Sequence, residues 1–128
     1  MFTGNGPIAL VTIAALVFYA FTALKVAEMR RKHNVLPPAT AGAPEFDRAF
    51  RVQMNTLENL VIFLPLLWLA GTFFNRWVAV VLGIAWIVGR VLYMQGYMEA
   101  ADKRETGALI QGGAMALLGV VSILGVLF

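Results

Sequence analysis

The chain of 128 residues has no cysteine and one histidine, His33. Without cysteine there is no disulfide scaffold, no thiolate metal ligand and no cysteine nucleophile. A lone histidine argues against a His-based zinc site or a Ser-His-Asp triad, so no metal site is expected. Charge is also scarce. Charged residues make up 13% of the chain and hydrophobic ones 60%, against about 25% and about 45–50% in an ordinary soluble domain. The chain is too apolar for that class. Its net charge of +3 comes from basic residues set between apolar runs, the arrangement of a membrane protein; no nucleic-acid partner is expected.

What is present are long apolar stretches. No charge occurs from Met1 to Leu24. A cleavable leader would carry basic residues ahead of its apolar part, so a retained first span over 7–24 is expected. A membrane helix needs about 20 apolar residues, and four such segments fit, at about 7–24, 44–74, 77–98 and 106–128. The expected fold is an all-α integral membrane four-helix bundle, one domain over 1–128. Eight of the ten Lys and Arg residues lie in 25–51 and 99–105, with Arg76 elsewhere and Arg90 inside the third span. The positive-inside rule then places both of those loops in the cytoplasm and both termini outside. Phe73, Phe74 and Trp77 suit an aromatic belt on the outer side.

Between the first two spans, Pro37-Pro38 stops any helix, and Pro44 with Glu45 and Asp47 restarts one. Proline fits the first helical position, and acids there face the positive end of the helix dipole. The second helix should therefore run from Pro44 to about Phe74, project from the membrane at its start, and kink near Pro65.

The informative residues break the apolar pattern. Arg48, Arg51, Asn55 and Glu58 are spaced 3, 4 and 3 apart, which places them within about 80° on one helix face. Arg90, Tyr93, Tyr97 and Arg104 follow at 3, 4 and 7 and share a stripe if the third helix persists to Arg104. An ionisable residue in a span is costly unless it faces protein, water or a partner charge. One reading is architectural, with Arg51 or Arg90 paired to Glu58 inside the bundle. Arginines outnumber that single acid, however, and Arg30 and Arg31 add to the excess. Surplus guanidinium interleaved with tyrosines and amides suits an anionic ligand bearing carboxylates. Lys25, Lys32 and His33 read as solvated or headgroup-facing, and the glycines of the last helix as aids to close packing.

Three strings carry a resemblance: Pro37-Pro38-Ala39-Thr40-Ala41-Gly42-Ala43-Pro44-Glu45-Phe46-Asp47-Arg48, then Arg51-Val52-Gln53-Met54-Asn55-Thr56-Leu57-Glu58, then Arg90-Val91-Leu92-Tyr93-Met94-Gln95-Gly96-Tyr97, with Arg104 after them. Together they resemble the MAPEG family, membrane-associated proteins of eicosanoid and glutathione metabolism. The resemblance implies a four-helix bundle assembled as a homotrimer, with glutathione bound between neighbouring subunits near the cytosolic side. It implies that Arg51, Gln53, Asn55 and Glu58 contact glutathione, Glu58 taking its ammonium group and Arg51 and Asn55 its carboxylates. Tyr93 and Tyr97 would come from the next subunit, with Arg90 near them, and Arg30 would add a contact. Arg104 matches the arginine that keeps the glutathione sulfur as thiolate, and Arg31 a second catalytic arginine. Asn59 stands where the eicosanoid enzymes often carry an aromatic residue, which points to a generalist, bacterial-type glutathione transferase.

The implied reaction is attack by the thiolate on a lipophilic electrophile delivered by membrane lipid, or reduction of a lipid hydroperoxide by the same sulfur. Two rivals remain at this point. One is a non-catalytic lipid- or glutathione-binding scaffold of the same fold, separable by a thiol-conjugation assay. The other is a small exporter or channel, which the absence of charge within 7–24 and 106–128 disfavours.

Overall fold

The computed structural model describes residues 4–128. Four helices, each long and apolar enough to cross a membrane, follow one another: α1 (Gly6–His33), α2 (Pro44–Phe73), α3 (Arg76–Glu99) and α4 (Glu105–Leu127). A short 3₁₀ turn, Ala101–Arg104, joins α3 to α4. No strand occurs among the described residues.

The helix ends follow local chemistry. Pro7 lies in the first turn of α1, and Pro44 opens α2 with Glu45 and Asp47 beside it. Asn75 caps α3: its side-chain oxygen accepts from the backbone N–H of Trp77 at 2.8 Å and of Val78 at 3.0 Å, satisfying two of the orphan donors there. α1 does not stop at Leu24. It continues to His33 and ends at Asn34, whose φ of 54° is the left-handed conformation that closes many helices. At 1.5 Å per residue its 28 residues reach about 42 Å. Most of the expected 25–51 loop is therefore helix, and only 34–43 is connection. α2 runs unbroken through Pro65.

α2 and α3 each pack against the other three helices, and α3 packs most extensively on α4. In the core, Phe63 of α2 stacks on Trp86 of α3 with ring centroids 4.0 Å apart and planes 5° from parallel. A polar clip joins α1 to α2 within the apolar zone. Trp68 Nε1 donates to Thr12 Oγ1 at 3.0 Å, and that hydroxyl donates to the Ile8 carbonyl. Glycine lets α3 and α4 touch backbone to backbone. A Cβ at Gly89 would sit 2.6 Å from the Gln111 nitrogen, and one at Gly107 would collide with the Tyr93 backbone. Gly125 is likewise close against Phe73, whereas Gly112 and Gly113 meet nothing within 4 Å. Close packing thus explains only some of the α4 glycines. Much of the remaining surface is apolar and exposed, including Phe73, Phe74 and Trp77 at the α2–α3 turn.

Candidate functional site

The up-and-down order brings the ends of α1 and α3 and the starts of α2 and α4 to one end of the bundle. Seven basic residues gather there in the helix ends and turns: Arg30, Arg31, Lys32, Arg48, Arg51, Lys103 and Arg104. Their roles differ.

Some are engaged within the chain. Arg30 Nη1 donates to the Ala39 carbonyl at 2.8 Å, and its guanidinium lies 4.9 Å from the Phe46 ring centroid. It thereby holds the 34–43 connection against α2. Arg48 Nε donates to the Met98 carbonyl at 3.1 Å, joining α2 to the last turn of α3. Lys32 and His33 are not simply solvated, as expected from sequence. Lys32 Nζ lies 2.9 Å and His33 Nε2 2.8 Å from the same Glu45 oxygen. Glu45 sits in the first turn of α2, ahead of its apolar run, and the hydrogen bonds from His33 and then Lys32 hold its carboxyl down at about 2. Lys25 likewise has a partner, Glu28, at 3.5 Å.

Arg31, Arg51 and Arg104 are exposed and make no ion pair among the described residues. Glu58 is also exposed and unpaired among them, so the architectural pairing of Arg51 or Arg90 with Glu58 is not what the chain builds. Arg51, Asn55 and Glu58 keep one face of α2. Gln53, at 100° per residue, points about 180° from the centre of that face. A single chain therefore cannot turn Gln53 and the stripe toward one ligand.

Arg90 is fully buried. Its Nη1 donates to Asn55 Oδ1 at 2.7 Å and its Nη2 to Thr56 Oγ1 at 2.6 Å. Thr56, also fully buried, passes its own proton to the Val52 carbonyl at 2.7 Å. A lone arginine in the middle of a span costs about 2.5–3.5 kcal/mol to insert. Two hydrogen bonds from a charged donor, at about 1.5–3 kcal/mol each, offset that without a carboxylate. The guanidinium also lies 4.3 Å from the Tyr93 ring centroid, where the ring quadrupole favours a cation. Sequence reading missed Thr56 because a threonine in an apolar helix passes as filler. The usable signal was its place beside Asn55, on the flank of the stripe nearest α3.

From Arg90 a ladder of rings leads outward. Tyr93 and Tyr97 have centroids 5.6 Å apart, and Arg104 lies 5.7 Å from the Tyr97 centroid. The expected continuous stripe is corrected here. α3 ends at Glu99, and Arg104 reaches Tyr97 from the 3₁₀ turn instead, with its guanidinium also donating to the Ala101 carbonyl. Gly96 makes the approach possible, since a Cβ there would collide with the Lys103 carbonyl. Arg90, Tyr93, Tyr97 and Arg104 are thus brought together, ending in an exposed cation.

The other end of the bundle is different. A groove of about 470 Å³ between α3 and α4, lined by Trp77, Val78, Val81, Leu82, Leu117 and Val121, is wholly apolar.

Comparison with known proteins gives a consistent result. A model of the MAPEG family matches residues 8–124. Human microsomal glutathione S-transferase 2 is 44% identical over 119 residues, covering 93% of this chain and 81% of the relative. An uncharacterised protein of Synechocystis is 41% identical over 120 residues, covering 94% and 88%. Mouse leukotriene C4 synthase is 38% identical over 120 residues, covering 94% and 80%.

Proposed function

The chain belongs to the MAPEG family, and from that premise we propose that this multi-pass membrane protein is a glutathione transferase that binds glutathione as thiolate and conjugates it to lipophilic electrophiles. The observation that carries the proposal is the exposed Arg104 at the end of the Arg90–Tyr93–Tyr97 ladder, a cation without a carboxylate partner among the described residues, beside the Tyr97 ring. Relatives named for glutathione transfer and leukotriene C4 synthesis support the same chemistry.

Glutathione carries two carboxylates, one ammonium group and one thiol. Arg51 and Asn55 take carboxylate oxygens, and Glu58 takes the ammonium. Tyr93 and Tyr97 flank the tripeptide, and Gln53, from the opposite face of α2, and Arg30, from the end of α1, add contacts. The divergence of Gln53 from the Arg51 stripe on one helix supports a site completed by a neighbouring chain, and the family resemblance supports a homotrimer with the ligand between subunits. The charged end faces the cytoplasm, as the positive-inside rule requires, and both termini lie outside.

A free thiol has a pKa near 8.5 and is mostly protonated at neutral pH. A guanidinium about 4 Å from the sulfur stabilises the thiolate by on the order of 4 kcal/mol at an effective dielectric of about 20. That is up to about 3 in pKa before screening, enough to ionise most of the bound thiol. Arg104 supplies this charge, and Arg31, exposed in the last turn of α1, stands as a second cation at the same end of the bundle. The bilayer concentrates the apolar electrophile at the same depth, and the same sulfur can instead reduce a lipid hydroperoxide to the alcohol and water, with two glutathiones oxidised to the disulfide.

The test is ultraviolet difference spectroscopy of the detergent-solubilised protein with saturating glutathione at neutral pH, beside isothermal titration. A thiolate absorption band and saturable uptake with proton release are expected. A protein that neither takes up the tripeptide nor develops the band is not a glutathione transferase.

A further inference from the structure

A guanidinium has only donors. The Asn55 atom that faces Arg90 Nη1 at 2.7 Å must therefore be the carbonyl oxygen and not the amide nitrogen. Asn59 Nδ2 donates to the same oxygen at 3.2 Å and to the Asn55 backbone carbonyl at 2.8 Å. Both donors take one end of the amide. Its other end, Nδ2, donates to no group among the described residues, and Asn55 is only half-buried, on the face that carries exposed Arg51 and Glu58.

Arg90 itself has little freedom. It is fully buried, lies above the Tyr93 ring, and is anchored at its other terminal nitrogen by Thr56. The Thr56 hydroxyl has one proton, which goes to the Val52 carbonyl, so its lone pairs face Arg90. An unbroken series of donors and acceptors runs from the α2 backbone through Thr56 and Arg90 to the Asn55 amide.

We propose that Arg90 is a positioning residue that fixes the Asn55 amide with its N–H groups turned toward the ligand face, and that Thr56 holds Arg90 for that role. A freely rotating asparagine offers a ligand either a donor or an acceptor. Locked this way it offers donors only, and so selects a carboxylate or carbonyl oxygen over an ammonium group. Glu58, three residues on, supplies the opposite preference, and the pair reads the two ends of an amino-acid moiety. This inference rests on the glutathione reading above and specifies which group polarity Asn55 accepts.

A double-mutant cycle on glutathione binding to the full-length protein tests it. Thr56→Val keeps the shape and removes the hydroxyl, and should weaken binding about tenfold, the scale of one misplaced hydrogen bond. Thr56→Ser should restore near-native affinity. In an Asn55→Ala background, Thr56→Val should cost less than about twofold more, because its effect passes through that amide. Should Thr56→Val not fold, Asn59→Ala removes the other donor to Asn55 Oδ1, with a loss of about threefold expected and the same non-additivity with Asn55→Ala. Additive losses in the cycle, or native affinity in the folded single variants, overturn the positioning role while leaving the glutathione reading intact. Failure of the unmutated protein to bind glutathione overturns both.

Discussion

The two ends of this bundle treat their arginines in opposite ways. At the α2–α3 turn, Arg76 donates to the Gly4 carbonyl and lies 5.4 Å from the Trp77 ring centroid, and Asn75 caps the next helix. The Arg76 charge there is thus met by a carbonyl and an aromatic face, and the helix start by its own cap. At the opposite end, Arg30 of α1 and Arg48 of α2 are also answered, by carbonyls of Ala39 and Met98. Arg31, Arg51 and Arg104 are left exposed with no carboxylate among the described residues. Arginine at a membrane end is thus not itself the sign of a site. The sign is a cation left open beside others that are closed, because leaving it open gives folding nothing.

The contrast can be broken most severely at Arg104. Arg104→Ala should lower turnover with a chlorodinitrobenzene-type electrophile on the order of a hundredfold, the scale seen when one stabilising donor is lost from a developing anion. Glutathione binding should survive; full turnover in the folded variant would remove Arg104 from the thiol. The packing side comes next. Gly107→Ala should destabilise by about 1–3 kcal/mol, since the added methyl meets the Tyr93 backbone and no flexible side chain can yield. Gly113→Ala, with open space around it, should be neutral or stabilising by about 0.5–1 kcal/mol through helix propensity alone. Thermal unfolding in detergent separates the two, and a marked loss at Gly113 would show that another chain covers that face.

Glu58→Gln should weaken glutathione binding about tenfold, the scale of one charge-assisted hydrogen bond, with little effect on the thermal midpoint because Glu58 is exposed and holds no partner. Aggregation or chain dissociation instead would restore an architectural role. The smallest effect concerns the clasp of Lys32, His33 and Glu45. A carboxyl depressed to about 2 stabilises the fold above its ordinary value near 4.5 and loses that contribution as pH falls from there toward 2. Glu45→Gln should lower the midpoint slightly at neutral pH, and the difference from the native protein should shrink to nothing toward pH 2. A gap that persists at that acidity would show that packing, not charge, is what Glu45 provides.

Much of this was legible in the sequence. The start of α2 is written in local terms, since proline, glutamate and aspartate together have few other uses. The end of α1 was not. A run of Lys and Arg marks where apolar character stops, but the backbone continues its ladder through Lys25 and Arg31 until Asn34 turns it. Charge reports the membrane, and capping reports the helix. The stripe from Arg90 to Tyr97 came through because helical period alone sets it. Arg104 arrived beside Tyr97 by another route, a 3₁₀ turn that periodicity does not encode. Thr56 escaped for a related reason. Sequence shows that a buried arginine needs oxygen, and a nearby acid is the conspicuous source, but direction decides, and Thr56 and Asn55 face α3 where Glu58 does not.

The contact at Gly96 has a consequence for inhibitor design. Because the Lys103 carbonyl rests where a side chain would otherwise stand, the hairpin has no slack, and the offset between the Tyr97 ring and the Arg104 charge acts as a built-in ruler. A stiff compound that lays a flat ring on Tyr97 and presents an anion at that fixed offset would need little rearrangement of its receptor, and preorganisation of both sides favours tight binding.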